Sequence, residues 1–278
     1  MKKLAVCITT HITGPNGDAG RHGREFRENL FAYYKKMIDR YIDLKAGLKD
    51  DDWDLYIMDT GCDVDFQAWA KETEIYNENF YHIGVPNNCG FAAGLKHVMH
   101  GNNDLKSKYE YYFFHVDDGV EPQADNWATS LISSYKKGCE LGIMGRELIT
   151  IKLGPNGLTD HHGWCKHVAK MWNMNEEKQI PHLHADWWFM NKATLNKLAD
   201  VWYEPQYSEA AMQYQKQWEN TDFIALQDLN DGRKTLDNIH VGREVDTPLR
   251  VELFGGKVFA YKGTKINAVQ IHHRGFKI

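Results

Sequence analysis

A chain of 278 residues and 32.2 kDa is long enough to bury a large hydrophobic core without help from disulfides. Its 42% hydrophobic, 26% charged and 13% aromatic residues exclude the disordered and fibrous classes. The 33 basic and 38 acidic residues leave a formal charge of −5, so the sequence as a whole carries no electrostatic footprint for nucleic acid or an anionic membrane, and only a local basic groove remains open to such partners.

The opening apolar run, Leu4 to Ile8, is too short for a signal-peptide core. No stretch approaches the roughly 20 apolar residues that span a bilayer. A soluble, cytoplasmic protein is expected. Five scattered cysteines (Cys7, Cys62, Cys89, Cys139, Cys165) without a C-x-x-C pair suggest neither a disulfide frame nor a zinc ribbon, which fits a reducing compartment.

In chain order, residues 3–10 read as a buried strand. A polar loop rich in glycine follows, with Arg21 and Arg24, and then an amphipathic helix over about 25–46. Residues 54–59 form a second strand, 75–85 a third, Phe91–His100 a helix and Tyr111–Val116 a fourth strand of aromatic and β-branched character. Strands alternating with helices are the βαβ signature of a parallel sheet, here with four parallel strands. A helix is expected over 124–137 and a strand over 141–151. Beyond them lie turn residues, histidines and six tryptophans (Trp164, Trp172, Trp187, Trp188, Trp202, Trp218) that shape a cleft or fill a core. Helices are expected over 191–203 and 207–230, and a β-hairpin over 250–273 around Phe254-Gly255-Gly256-Lys257. Without repeats or linkers, residues 1–278 are read as a single domain.

The strand Tyr111–Val116 runs straight into Asp117-Asp118-Gly119-Val120-Glu121-Pro122. Ligands of open α/β sheets bind beyond the carboxyl ends of the strands. Two adjacent carboxylates there repel each other unless they share a cation, and hard oxygen ligands suit Mg²⁺ or Mn²⁺ bridging a diphosphate; an Asp-Asp turn or helix cap is the alternative. The second strand ends in Asp59-Thr60-Gly61-Cys62-Asp63, which brings a carboxylate to the same edge to accept from a base or ribose, or simply closes a turn. Asn87-Asn88-Cys89-Gly90-Phe91-Ala92 puts small residues at a strand-to-helix junction, where backbone can approach a ligand and a helix N-terminus can face phosphate.

These residues resemble the GT-A nucleotide-sugar glycosyltransferases, particularly the inverting family 2 that includes rhamnosyltransferases. The resemblance covers residues 3–125 well and 185–275 loosely, and it implies an α/β fold with a mostly parallel, Rossmann-like sheet flanked by helices and a C-terminal acceptor-side subregion. By that resemblance residues 1–125 are the nucleotide-sugar-binding half and 126–278 the acceptor-binding half, and Thr9, Thr10, Asp59, Asn88 and Asp117 contact the nucleotide sugar while Asp118 holds Mn²⁺ or Mg²⁺. Gly119 departs from the pattern, since many relatives carry a third Asp there, which leaves open which carboxylate ligates the metal. The family's catalytic base resembles Asp222, or Glu219 one turn earlier, although the usual adjacent Glu-Asp pair is absent and acids at a helix N-terminus also favour its dipole. A late histidine of such enzymes reaches the metal or the diphosphate; here His272 or His273 matches, only one of which can do so from a strand, and Arg274 is placed to neutralise the diphosphate instead. Asp186-Trp187-Trp188-Phe189-Met190 resembles the acceptor-facing strand, with Asp186 and Trp187 as acceptor-binding residues.

The implied activity is metal-dependent, inverting transfer of a hexosyl-type group from a nucleotide-diphosphate sugar to a glycan, lipid-linked, protein or modified-nucleobase acceptor. Two other readings stay open. One is a non-catalytic carbohydrate- or nucleotide-sugar-binding module. The other is a metal-dependent hydrolase built on His182, His184 and Asp186, which strand periodicity puts on one face.

Overall fold

A computed structural model describes residues 1–10, 23–85, 91–101, 104–116, 120–152, 179–184, 186–202 and 243–268. Strand β1 (Lys2–Thr10) is followed by α1 (Gly23–Asp43), β2 (Trp53–Asp59), α2 (Val64–Tyr76), β3 (Phe80–Gly84), α3 (Phe91–His100), α4 (Leu105–Lys108) and β4 (Tyr109–Val116). Next come β5 (Val120–Pro122), α5 (Trp127–Gly138), β6 (Gly142–Gly145), β7 (Leu148–Lys152), β8 (Gln179–Leu183), β9 (Trp187–Asn191) and α6 (Lys192–Val201). After the intervening chain come α7 (Arg243–Leu253), β10 (Lys257–Ala260) and β11 (Ile266–Ala268).

The main sheet has seven strands in the order β10-β6-β9-β4-β1-β2-β3. Strands β1 to β4 pair in parallel, as the alternating pattern requires, and β9 enters antiparallel between β4 and β6. The chain is thus an α/β fold with a mostly parallel sheet. Both faces are covered, which is why β1 and β2 read as continuous apolar runs rather than alternating ones. Val6, Ile8, Leu55, Ile57, Phe113 and Phe189 pack with Tyr34 and Tyr41 of α1, Phe66 of α2 and Trp127 of α5. The alternate residues Cys7, Tyr56, Met58, Tyr112, Phe114 and Trp188 pack on the other face with Leu95 of α3, Leu198 of α6 and Val251 of α7.

Three expectations are corrected. The third strand is confined to Phe80–Gly84, because α2 occupies the chain through Tyr76. The Asp63 carboxylate caps that helix by accepting from the Phe66 amide at 3.1 Å. The strand expected over 141–151 is two strands, split at Arg146-Glu147: β6 belongs to the main sheet and β7 pairs with β8 in a separate one. Among the described residues of 250–273, up to Ala268, no hairpin forms. Gly255-Gly256 instead ends α7, with Gly255 at φ +80° and the Gly255 and Gly256 amides donating back to Glu252 and Val251 at 2.9 Å each. Strand β10 then pairs in parallel with β6, and β11 antiparallel with β5. The helix expected over 207–230 lies outside the described residues.

At Gly142 a side chain has no room. A Cβ there would lie 2.1 Å from the carbonyl oxygen and 2.9 Å from the nitrogen of Lys257. Both atoms are backbone, so neither can rotate away, and Gly142→Ala has to part β6 from β10. The expected cost is about 2 kcal/mol, read as a lowered urea midpoint at unchanged slope; an unchanged midpoint would show that the two strands tolerate a wider spacing.

Candidate functional site

The carboxyl ends of the parallel strands form one edge, and register fixes what meets there. Thr10 pairs with Asp59, Thr9 with Val116, and Asp59 with Gly84. On the other side of β4 the antiparallel β9 brings its beginning, not its end, to this edge: the Val116 amide donates to the Asp186 carbonyl at 3.1 Å. The end of β6 and Arg146 follow beside Trp188. Thr10, Asp59, the exit from β4, Asp186 and Arg146 therefore succeed one another along one side of the sheet.

Asp59 is buried and fully engaged. One carboxylate oxygen accepts from the Gly61 and Cys62 amides at 2.8 and 2.6 Å, and the other lies 2.9 Å from Nε2 of His82. Gly61 takes φ +110°, which leaves this tight wrap to glycine. Burial alone would raise the carboxyl's pKa, but the hydrogen bonds from His82, Cys62 and Gly61 outweigh it and hold the group well below the ordinary carboxylate range. Asp59 thus sits at the expected edge with its charge already assigned to the turn and to His82. Thr9 and Thr10 are buried as well. The Thr9 hydroxyl has no hydrogen-bond partner among the described residues and lies where a Cβ on Gly94 would approach it to 2.3 Å, so this glycine lets α3 close onto the strand end.

At the end of β4 the His115 ring is wholly buried and stacked on Tyr41 at 5.9 Å between centroids. Its Nδ1–H donates to the Val116 carbonyl at 2.7 Å, and Nε2 accepts from the Tyr41 hydroxyl at 2.8 Å. The strand leading to Asp117-Asp118 is thereby tied to α1. Asp117, Asp118 and Asn88 lie outside the described residues, as do Glu219, Asp222, His272, His273 and Arg274. The chain on either side of two of these segments is nevertheless informative. In the β5–β11 ladder Val120 pairs with Ala268, so the polypeptide leaves the Asp117–Gly119 segment opposite the point where it enters residues 269–278. One residue further along β5, Glu121 is buried, with Oε1 accepting from Gln123 at 3.0 Å and Oε2 without a hydrogen-bond partner among the described residues. Nε of Arg40 lies 4.0 Å from Oε1, so this carboxylate has a cationic neighbour. Asp117 and Asp118 precede it in the sequence, and such oxygen donors are of the type a hard divalent cation takes.

Comparison with known proteins adds the following. No family model matches the sequence, and no curated protein does. Solved structures similar to the chain include mannosyltransferase PcManGT from Pyrobaculum calidifontis in complex with GDP-Man and Mn²⁺, 11% identical, covering 76% of this chain and 51% of that one at a TM-score of 0.42. Residues 1–349 of S. aureus TarS are 10% identical, covering 95% of this chain and 59% of that one at a TM-score of 0.44. Mouse xyloside xylosyltransferase 1 is 10% identical, covering 93% and 83% at a TM-score of 0.43. The chain spans little more than half the length of the first two.

The remaining expectations resolve by position. Asp186 is buried and its carboxylate is bound by Nη1 of Arg146 at 2.5 Å, while Nδ1 of His184 stands 3.7 Å away. Trp187 is committed to the core, edge-on to Phe113 at 5.5 Å and Tyr261 at 5.7 Å, rather than facing a cleft, and Trp188 and Trp202 are likewise buried. His182 and His184 do share a face, with ring centroids 5.5 Å apart, but no group of three His, Cys, Asp or Glu among the described residues could hold a metal ion. Asp186 pairs with Arg146 at this point, and the hydrolase reading finds no three-residue metal site among the described residues. No helix among the described residues is long and apolar enough to cross a membrane. Sequence reasoning missed His82, His115, Glu121 and Arg146. The first needs the β2–β3 register, the second its contact with α1, the third the β5–β11 ladder, and the last the antiparallel entry of β9.

Proposed function

We propose that the chain is a glycosyltransferase acting on a nucleotide-diphosphate sugar with a divalent cation, Mn²⁺ or Mg²⁺, and inverting the transferred centre. The observation that carries this reading is the order of groups along the strand edge: the Thr10–Asp59 pair on one flank, the exit from β4 toward Asp117-Asp118 in the middle, and Asp186 with Arg146 on the other. That order suits a nucleotide over β1 and β2, a diphosphate at β4 and an acceptor over β9 and β6.

In this reading Asp118 holds the cation, with His272 or His273 completing the set and Asp117 beside the ribose. The cation would supply compensation for charge on the departing diphosphate. Asp222, or Glu219, accepts the proton of the attacking acceptor hydroxyl, while the nucleoside diphosphate leaves from the opposite face of the sugar. His115 ties the end of β4, after which Asp117 and Asp118 follow in the sequence, to Tyr41 of α1. Gly94 seats α3 on the strand end, beside the segment that carries Asn88.

The test is release of nucleoside diphosphate from UDP-, GDP- and dTDP-sugars by the purified chain, with and without Mn²⁺. Cleavage of one donor that stops when the ion is chelated is the expected result. Binding of a nucleotide sugar that stays uncleaved after long incubation would make the chain a binding module instead.

A further inference from the structure

The Arg146–Asp186 ion pair joins the residue after β6 to the residue before β9, with its aspartate buried. Replacing such pairs by apolar residues is often neutral or stabilising, because taking two charges out of water costs about what their attraction returns. Here the pair stands at the same edge as Asp59 and His82, on the far side of β4. Asp186 has 3% of its side chain exposed and Arg146 32%, so one partner is sealed and the other looks outward. The carboxylate takes only Nη1 of the guanidinium, and among the described residues Arg146 makes no other hydrogen bond or ion pair. An arginine offers five N–H donors and no acceptor, in a planar fork matched to carboxylate and phosphate oxygens.

Its position says which part of a substrate it would meet. Two strand spacings separate β6 from β4, so Arg146 stands about 10 Å from the end of β4 and about 14 Å from that of β1. That is too far along the edge for the diphosphate at β4 and leaves room for one sugar ring between them, over β9. The Asp186 carbonyl, bonded to the Val116 amide, and the His184 amide, bonded to the Glu147 carbonyl at 3.1 Å, hold the support of the guanidinium to β4 and to the β6–β7 connection.

We propose that Arg146, oriented by buried Asp186, binds an oxyanion of the acceptor, a carboxylate or a phosphate, and that the acceptor is therefore an acidic glycan or a phosphorylated sugar. Asp186 is in this account a positioning residue, and Arg146 the group that touches the acceptor. The proposal rests on the glycosyl-transfer reading for the word acceptor, but its binding test does not require turnover.

Titration calorimetry with glucuronate, glucose 6-phosphate and glucose, in the presence of Mn²⁺ and saturating nucleoside diphosphate, reads the site directly. The wild-type chain is expected to bind at least one of the two acidic probes roughly 10-fold or more tightly than glucose, and whichever is preferred tells carboxylate from phosphate. Arg146→Gln should erase that preference while leaving nucleotide binding intact, Arg146→Lys should keep part of it, and Asp186→Asn should lower the ratio of acidic to neutral affinity, which a purely structural role would not move. Equal affinity of the wild-type chain for all three probes, or an undiminished preference in Arg146→Gln, overturns the proposal. Failure of every nucleotide sugar to be cleaved overturns the glycosyl-transfer reading alone, since the selectivity at Arg146 is read without it.

Discussion

Asp118→Ala is expected to lower cleavage of the preferred nucleotide sugar by roughly 10³-fold or more, with thermal stability close to that of the parent chain. The reasoning starts from charge. In the proposed reading, departure of a nucleoside diphosphate adds negative charge near Asp117 and Asp118, adjacent in sequence, and near Glu121, whose Oε2 has no hydrogen-bond partner among the described residues while Nε of Arg40 stands 4.0 Å from its Oε1. Without a cation that constellation opposes the reaction; with one it becomes a ligand set. Removing a principal ligand therefore takes away the charge compensation, and the other carboxylates cannot restore it alone. The experiment measures nucleoside diphosphate release across a Mn²⁺ titration. Full activity in the variant would mean that the cation is held elsewhere, and activity recovered at high Mn²⁺ would mean that Asp118 contributes to affinity alone.

The second large effect is on stability and is set by His115. Burial pushes this imidazole down to about 4, against the opposing influence of its bond to the Val116 carbonyl. In the unfolded chain the same group takes up its proton near pH 6.5. Between pH 6.5 and about 4 the unfolded chain thus binds one proton more than the folded one, so stability falls as pH falls through that window, by about 3 kcal/mol in total, and this group removes nothing further below it. Above pH 6.5 its contribution is complete. Urea unfolding at pH 7 and pH 4.5 should show the loss in the parent chain and much less of it in His115→Gln, which has no proton to gain and is less stable at pH 7 because it cannot reproduce both ring hydrogen bonds. Parallel losses in the two proteins would assign the acid sensitivity to other groups.

Where both faces of a strand are buried, its residues say so without help. Leu4–Ile8, Leu55–Met58 and Tyr111–Phe114 are apolar or aromatic on successive residues, and their parallel pairing follows from the helices between them. Local chemistry is less decisive where one signal serves two structures. The pair Gly255-Gly256 suits a hairpin turn and a helix C-cap equally well; what selects the cap is the run of α7 packing Val251 into the core, a contact that spans the chain. Thr73-Glu74-Ile75-Tyr76 has β-like residues but continues a helix nucleated at Asp63. The site divides in the same way. That Asp59 stands at the strand edge was readable because a carboxylate at a strand end is a local event, and Asp117-Asp118 is the same kind of signal, lying outside the described residues. That Asp59 is already spent on His82, or that Asp186 serves Arg146, depends on register and on a strand entering backwards, neither of which any single segment records.

That reversed strand also bears on how the protein could diversify. Residues up to Val116 build the β3-β2-β1-β4 flank, while β6, β9 and β10 come from later in the chain, and the two groups meet along one ladder of five residue pairs from Tyr111–Asn191 to His115–Trp187. That strand-to-strand seam is short, lined by aromatic rings and free of charged partners across it, and the packing of α5 and α6 on the earlier strands completes the junction. Under the proposed function, exchange of the later segments would change the recipient of the sugar while the strand ends that face the nucleotide keep their places.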